Sequence, residues 1–152
     1  MTESIFSPFE IAVLDKYRDR ISMPSSGTVQ IALPLFREQK RCLPPIYGEV
    51  RRLYEKVDCG EYDEHEHLFE YRVYVGGNMV LYDHTDDATP ELLDGLMEEC
   101  ISAVDGVFEY LDGRDEDTAF DKMNIPAHCR EMFKQLADKA LQQAPVSRPD
   151  FG

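Results

Sequence analysis

Glu91, Asp94, Glu98, Asp105, Glu109 and Asp112 recur at a spacing that, at 100° per residue, sets all six within about 60° of arc on one helix. Gly95, Ser102 and Gly106 lie directly beside that line. Several neighbours in it are like-charge pairs at i,i+3 or i,i+4, each costing roughly a few tenths of a kcal/mol. Glu109 and Asp112 also fall at the negative end of the helix dipole. Each interior glycine costs roughly 1 kcal/mol relative to alanine. Stability alone does not account for such a helix. The chemistry open to it is attraction of a basic surface, with small residues admitting that surface closely. These nine positions are therefore the candidate partner-binding residues. The plainer alternative is a solvated face, its charge partly matched within the chain by Arg37, Lys40, Arg41, Arg51, Arg52 and Lys56.

Other chemistry is thinner. His65 and His67 flank Glu66, and with His84 and Asp86 or Asp87 they sketch a divalent-metal site, but His-x-His alone fixes no second shell and a polar surface patch is the expectation. Asp115, Asp117 and Asp121 hint at a calcium loop, yet Ala119 and Phe120 stand where that loop needs an oxygen ligand and glycine. Cys42, Cys59, Cys100 and Cys129 contain no C-x-x-C pair, which argues against a zinc ribbon or redox motif and for four unpaired thiols. His128 beside Cys129 points to the polar side of its helix, so the adjacency is no dyad. A pairing of Cys129 with His84 stays open. No glycine-rich phosphate loop or nucleophile elbow is present. The expectation is no metal, no cofactor and no catalytic residue.

The elements that must carry these residues are legible in part. Thr89-Pro90-Glu91 opens the strongest helix, running to about Asp112, with Leu92, Leu93, Leu96, Met97, Cys100, Ile101, Val104, Val107, Phe108 and Leu111 opposite the acids. Leu68–Val75 and Met79–His84, joined through Gly76-Gly77-Asn78, read as a β-hairpin. A Gly-Asn loop pairs Val73 with Tyr82 and Arg72 with Asp83, whereas a Gly-Gly loop sets Glu70 opposite Asp83. Both keep Phe69, Tyr71, Val73 and Val75 on one apolar face with Val80 and Tyr82. Ser7-Pro8-Phe9-Glu10 is a capping box opening a helix to about Ile21. A short strand around Val29–Leu33, a short helix over 35–42, and a helix marked by Ile46, Val50, Leu53 and Val57 follow. Residues 113–122 read as a polar loop, a last helix starts near Pro126, and 145–152 is an irregular tail. The expectation is one α+β domain over 1–152, with four to five helices packed on a small antiparallel sheet built around the hairpin.

The 152 residues carry a net charge of −14, and residues 58–121 alone hold twenty Asp+Glu against Arg72 and Arg114. Such acidity disfavours direct binding to nucleic acid or anionic membranes. No apolar run approaches the ~20 residues of a membrane span, and the first residues lack a signal-peptide layout, so a cytoplasmic protein is expected. A small acidic binding protein that neutralises a basic, nucleic-acid- or nucleotide-handling protein fits best: a toxin immunity protein, an antitoxin or a phage-encoded anti-defence inhibitor, monomeric or weakly dimeric. A non-catalytic acidic adaptor or subunit is the alternative, and an enzyme of unrecognised class the third. Duplex DNA as long as the acidic helix carries roughly 18 charges. Six carboxylates fall well short of that, so electrostatic docking suffices without nucleic-acid mimicry.

Overall fold

Alternation of apolar and polar residues builds the centre of the molecule. The computed structural model describes residues 8–22, 28–32, 43–58, 63–85, 87 and 89–143. Five antiparallel strands follow one another in sheet order: β1 (Ile21–Ser22), β2 (Thr28–Ala32), β3 (Ile46–Asp58), β4 (Asp63–Val75) and β5 (Asn78–His84). Val29 and Ile31 of β2, Ile46 and Val50 of β3, and Phe69, Tyr71, Val73 and Val75 of β4 all bury their side chains in one hydrophobic cluster. The opposite face carries the intervening residues, with Tyr47 stacked on Tyr74 at 5.2 Å and Arg72 over the Tyr82 ring.

Four helices accompany the sheet: α1 (Pro8–Asp15), α2 (Pro90–Leu111), α3 (Glu116–Met123) and α4 (Arg130–Gln143), the last preceded by a 3-10 turn at Ala127–Cys129. The α+β expectation holds. Thr89 caps α2, its Oγ1 accepting from the Leu92 N–H at 3.2 Å, and Pro90 follows where a missing N–H is free of cost. The apolar side of α2 then lies across the inner sheet face, burying Leu93, Leu96, Met97, Cys100, Val104, Val107, Phe108 and Leu111. Contact is close because Gly48 of β3 has no side chain. A Cβ there would sit 2.8 Å from Cys100 Sγ and 2.9 Å from Val104 Cγ2.

Several local expectations are corrected. The segment from Ile46 to Val57 is strand β3, not a helix. Ile46, Val50, Leu53 and Val57 fit a helical period, but Ile46, Gly48 and Val50 also alternate inward, and pairing with β2 and β4 on both sides decides the matter. The first helix ends at Asp15, well short of Ile21, which belongs to β1. Glu10 is fully buried there, with Arg52 Nη1 at 2.9 Å from its Oε1. Phe6 and Ser7, the 35–42 helix and the 145–152 tail lie outside the described residues. Residues 116–123 form α3 rather than a loop, because Ala119, Phe120 and Met123 share a buried face. Its first turn holds Glu116 and Asp117, where the helix dipole favours acids, and Asn124 closes it in the left-handed conformation.

The hairpin follows the Gly-Gly alternative at its turn and departs from both expected registers beyond it. Gly76-Gly77 makes the turn, both with positive φ, so Val75 pairs with Asn78 and Tyr74 with Met79. A bulge then shifts the ladder by one residue, setting Val73 opposite Leu81, Arg72 opposite Tyr82 and Tyr71 opposite Asp83. Val80 remains buried as expected, but Tyr82 is turned to the outer face and Asp83 inward, beside Tyr71 and toward α2.

Candidate functional site

The acidic side of α2 is not one open surface. At one end Asp94 accepts a hydrogen bond from Tyr17 and pairs with Lys16 at 2.9 Å, which holds its carboxyl below the usual carboxylate range, the tyrosine hydroxyl contributing most. Asp105 pairs with Arg20 at 2.9 Å. Further along, α3 packs onto the helix. Ser102 Oγ donates to the Lys122 carbonyl at 2.7 Å, Lys122 pairs with buried Glu109, and buried Asp112 pairs with Arg114 at 2.8 Å. Gly106 is what lets α3 approach: a Cβ there would stand 2.7 Å from the Ala119 carbonyl oxygen and 2.6 Å from Met123 Cγ. The small residues admit an element of the same chain. Only Glu91, Gly95 and Glu98 of the nine remain exposed, and nothing lies within 4 Å of a Cβ at Gly95.

The inward turn of Asp83 creates a different site. Tyr71 of β4, Leu81 and Asp83 of β5, Glu99 of α2, the Met123–Pro126 turn, Cys129, and Met132, Phe133 and Leu136 of α4 enclose a cleft of about 310 Å³. Its rim is apolar and wet: Met132 is 66% exposed, Leu136 46% and Tyr82 46%. Met132 and Leu136 stand on α4, of which only Phe133, Ala137 and Ala140 are buried. Glu99 lies one helical turn beyond Gly95, so the exposed residues of α2 run directly into this cleft.

Asp83, Glu99 and Tyr71 line this cleft together, and each acts on the ionisation of its neighbours. Burial first, then the hydrogen bond with Asp83 and its charge, push the Glu99 carboxyl up to about 7, against a smaller opposing pull from Tyr71. Asp83 Oδ1 also accepts the His84 backbone N–H at 2.8 Å. Burial, and then the Glu99 charge, push the Tyr71 hydroxyl upward. No Lys, Arg or His occurs among the described residues lining the cleft. Two carboxyl groups in one cleft, under apolar walls and without a cation in the described lining, can bind a positively charged group or move a proton.

The remaining candidates are not gathered. His65 and His67 lie in β4, their side chains outside the described ones, and the register sets His84 opposite Glu70. Among the described residues no group of three His, Cys, Asp or Glu is placed to hold a metal ion. Cys100 is buried and its thiol pushed up by that burial, Cys129 is half-buried in the cleft, and Cys42 and Cys59 lie outside the described residues. The expectations from sequence do not include the cleft; the one signal in the sequence is Glu99, an acid on the margin of the apolar sector beside Leu92, Leu96 and Ala103 rather than in the acidic line. No protein-family model, curated protein or solved structure matches the chain. Among the described residues no helix is long and apolar enough to cross a membrane.

Proposed function

We propose that this chain is a small, non-catalytic acidic binding protein that neutralises a basic protein partner, the work of an immunity protein, antitoxin or anti-defence inhibitor. The observation that carries the reading is the cleft: two inward carboxyl groups with no basic side chain in the described lining, beneath an exposed rim of Met132, Leu136 and Tyr82. Half-buried carboxyl groups without a matching cation are costly to ionise, and a cation from outside relieves that cost. Exposed methionine and leucine around the mouth supply adaptable apolar contact over an area wider than the cleft itself. Acidity over 58–121 steers a basic partner toward that face at long range. Glu91, Gly95 and Glu98 extend the surface along α2, whereas Asp94, Ser102, Asp105, Gly106, Glu109 and Asp112 are engaged within the chain.

The test is parallel capture from the native host by the wild-type chain and by a Glu99→Lys/Leu136→Lys variant, each at low and high salt. A basic protein retained by the first, lost at high salt and absent from the second supports the reading. Capture unaffected by the double substitution, or only of salt-insensitive partners, overturns it and favours an adaptor. The carboxyl pair with Tyr71 favours one second reading, an acid–base catalyst of small apolar substrates. Turnover abolished by Glu99→Gln in a substrate screen distinguishes it.

A further inference from the structure

We propose that the cleft recognises a lysine side chain of the basic partner, whose ammonium sits between the Asp83 and Glu99 carboxyl groups and displaces a proton on docking. This rests on the docking reading above and names the chemical group that the cleft accepts.

The geometry favours an ammonium over a guanidinium. Asp83 comes from a strand and Glu99 from a helix, and both line one cleft, so a ligand meets two separate carboxyl groups rather than a single open one. A compact ammonium with three rotatable donors can sit between two convergent acceptors, whereas a planar guanidinium is best matched by both oxygens of one carboxylate. The walls suit a lysine stem. Leu81, Ile125, Phe133 and Leu136 line the approach with hydrocarbon, and a four-carbon chain can lie along it while its head reaches the floor. A carboxyl proton is the natural thing to displace. Two neighbouring carboxyl groups resist ionising together, and an inserted cation removes that restriction.

The titratable groups facing Glu99 are few. Asp83 faces it from β5 and Tyr71 from β4, and Cys100 adjoins it on α2. Cys129 stands across the cleft in the 3-10 turn, while the described lining from α3, the following turn and α4 is otherwise unionisable. Arg20 is felt on the far side, at Cys100, and is itself paired with Asp105. Burial pushes the Tyr71 hydroxyl and the Cys100 thiol upward, out of the range in question, and a lysine ammonium stays charged throughout it. The proton exchanged near neutral pH is therefore the one on Glu99.

The probe is n-octylammonium, compared with n-octanol and n-octylguanidinium, titrated into the whole chain by calorimetry at pH 6, 7 and 8 in two buffers of different ionisation enthalpy. The expected result is n-octylammonium binding about tenfold tighter at pH 8 than at pH 6, with proton release that fades above pH 7. Octanol should bind without pH dependence, and octylguanidinium more weakly than the amine. Glu99→Gln should remove the pH dependence of amine binding while leaving octanol binding in place, which shows that the cleft is still formed. Amine affinity independent of pH, amine no tighter than octanol, a guanidinium preference, or no amine binding at all overturns the inference. These outcomes separate it from the docking reading. A basic protein captured through the cleft with no amine preference sinks the lysine assignment alone, and amine binding with no captured protein sinks the docking reading alone.

Discussion

Two glycines on one helix should respond in opposite ways to the same substitution. Gly95 and Gly106 both interrupt α2, and in an isolated helix Gly→Ala would stabilise each by roughly 1 kcal/mol. Around Gly95 there is open space. Around Gly106 a Cβ would stand 2.7 Å from the Ala119 carbonyl oxygen, 2.6 Å from Met123 Cγ and 3.1 Å from Lys122 Cβ. A carbonyl oxygen in α3 cannot rotate aside as a side chain can, so α3 itself has to shift. Overpacking of that kind costs about 1–3 kcal/mol. Set against the propensity gain, Gly106→Ala should leave the chain no more stable and destabilise it by up to about 2 kcal/mol, while Gly95→Ala should stabilise it by about 1 kcal/mol. For a domain of this size each kcal/mol moves the midpoint by roughly 2–4 °C. Urea and thermal unfolding of the two variants beside the wild type measure the contrast. Equal stabilisation of both would refute the packing of α3 on the acidic side of α2 and would reopen that side as a docking face.

Val73 is fully buried under α2 and Tyr74 lies on the outer sheet face, so Val73→Asp should cost about 3 kcal/mol or more in urea unfolding and Tyr74→Asp much less. Glu99 is raised from its ordinary 4.5 to about 7 in the fold, so the folded state holds the proton more tightly. Its contribution to stability is therefore present below pH 4.5 and lost as pH rises toward 7, and Glu99→Gln should flatten stability across that window in denaturation at a series of pH values. In a Cys42→Ser/Cys59→Ser background, a thiol reagent should label half-buried Cys129 in the native state and reach buried Cys100 only on unfolding. Labelled Cys129 should also block n-octylammonium, since it lines the same cleft.

The strong periodicities were legible and the ambiguous ones were not. Helix α2 announces itself through Thr89-Pro90 and a wide apolar sector, and the inward face of β4 through strict alternation from Phe69 to Val75. Strand β3 was hidden because its apolar residues also satisfy a helical period. Two of its inward positions are moreover unlike core: Gly48, which must be small to admit α2, and Arg52, which is paired with buried Glu10. The bulge after Met79 could not be read from residue types, and it alone decides that Asp83 faces inward and Tyr82 outward. The narrow arc of acids on α2 was read correctly as geometry. What packs on it was not, because the positions of Lys16, Arg20 and Lys122 depend on where α1 and α3 fold back. Glu99 lay outside that arc, and its partner Asp83 reaches it only through the tertiary fold.

The most direct measurement is zero-length carbodiimide cross-linking of the chain to the basic protein that it captures, with the joined peptides sequenced by mass spectrometry. This chemistry joins a carboxyl group to a lysine amine in contact with it, so it reads which acid meets which base. Cross-links from Asp83 and Glu99, with Glu91 or Glu98 at the margin, are the expected result. Cross-links confined to Asp105, Glu109 and Asp112, or to 115–121, would contradict the cleft as the docking surface.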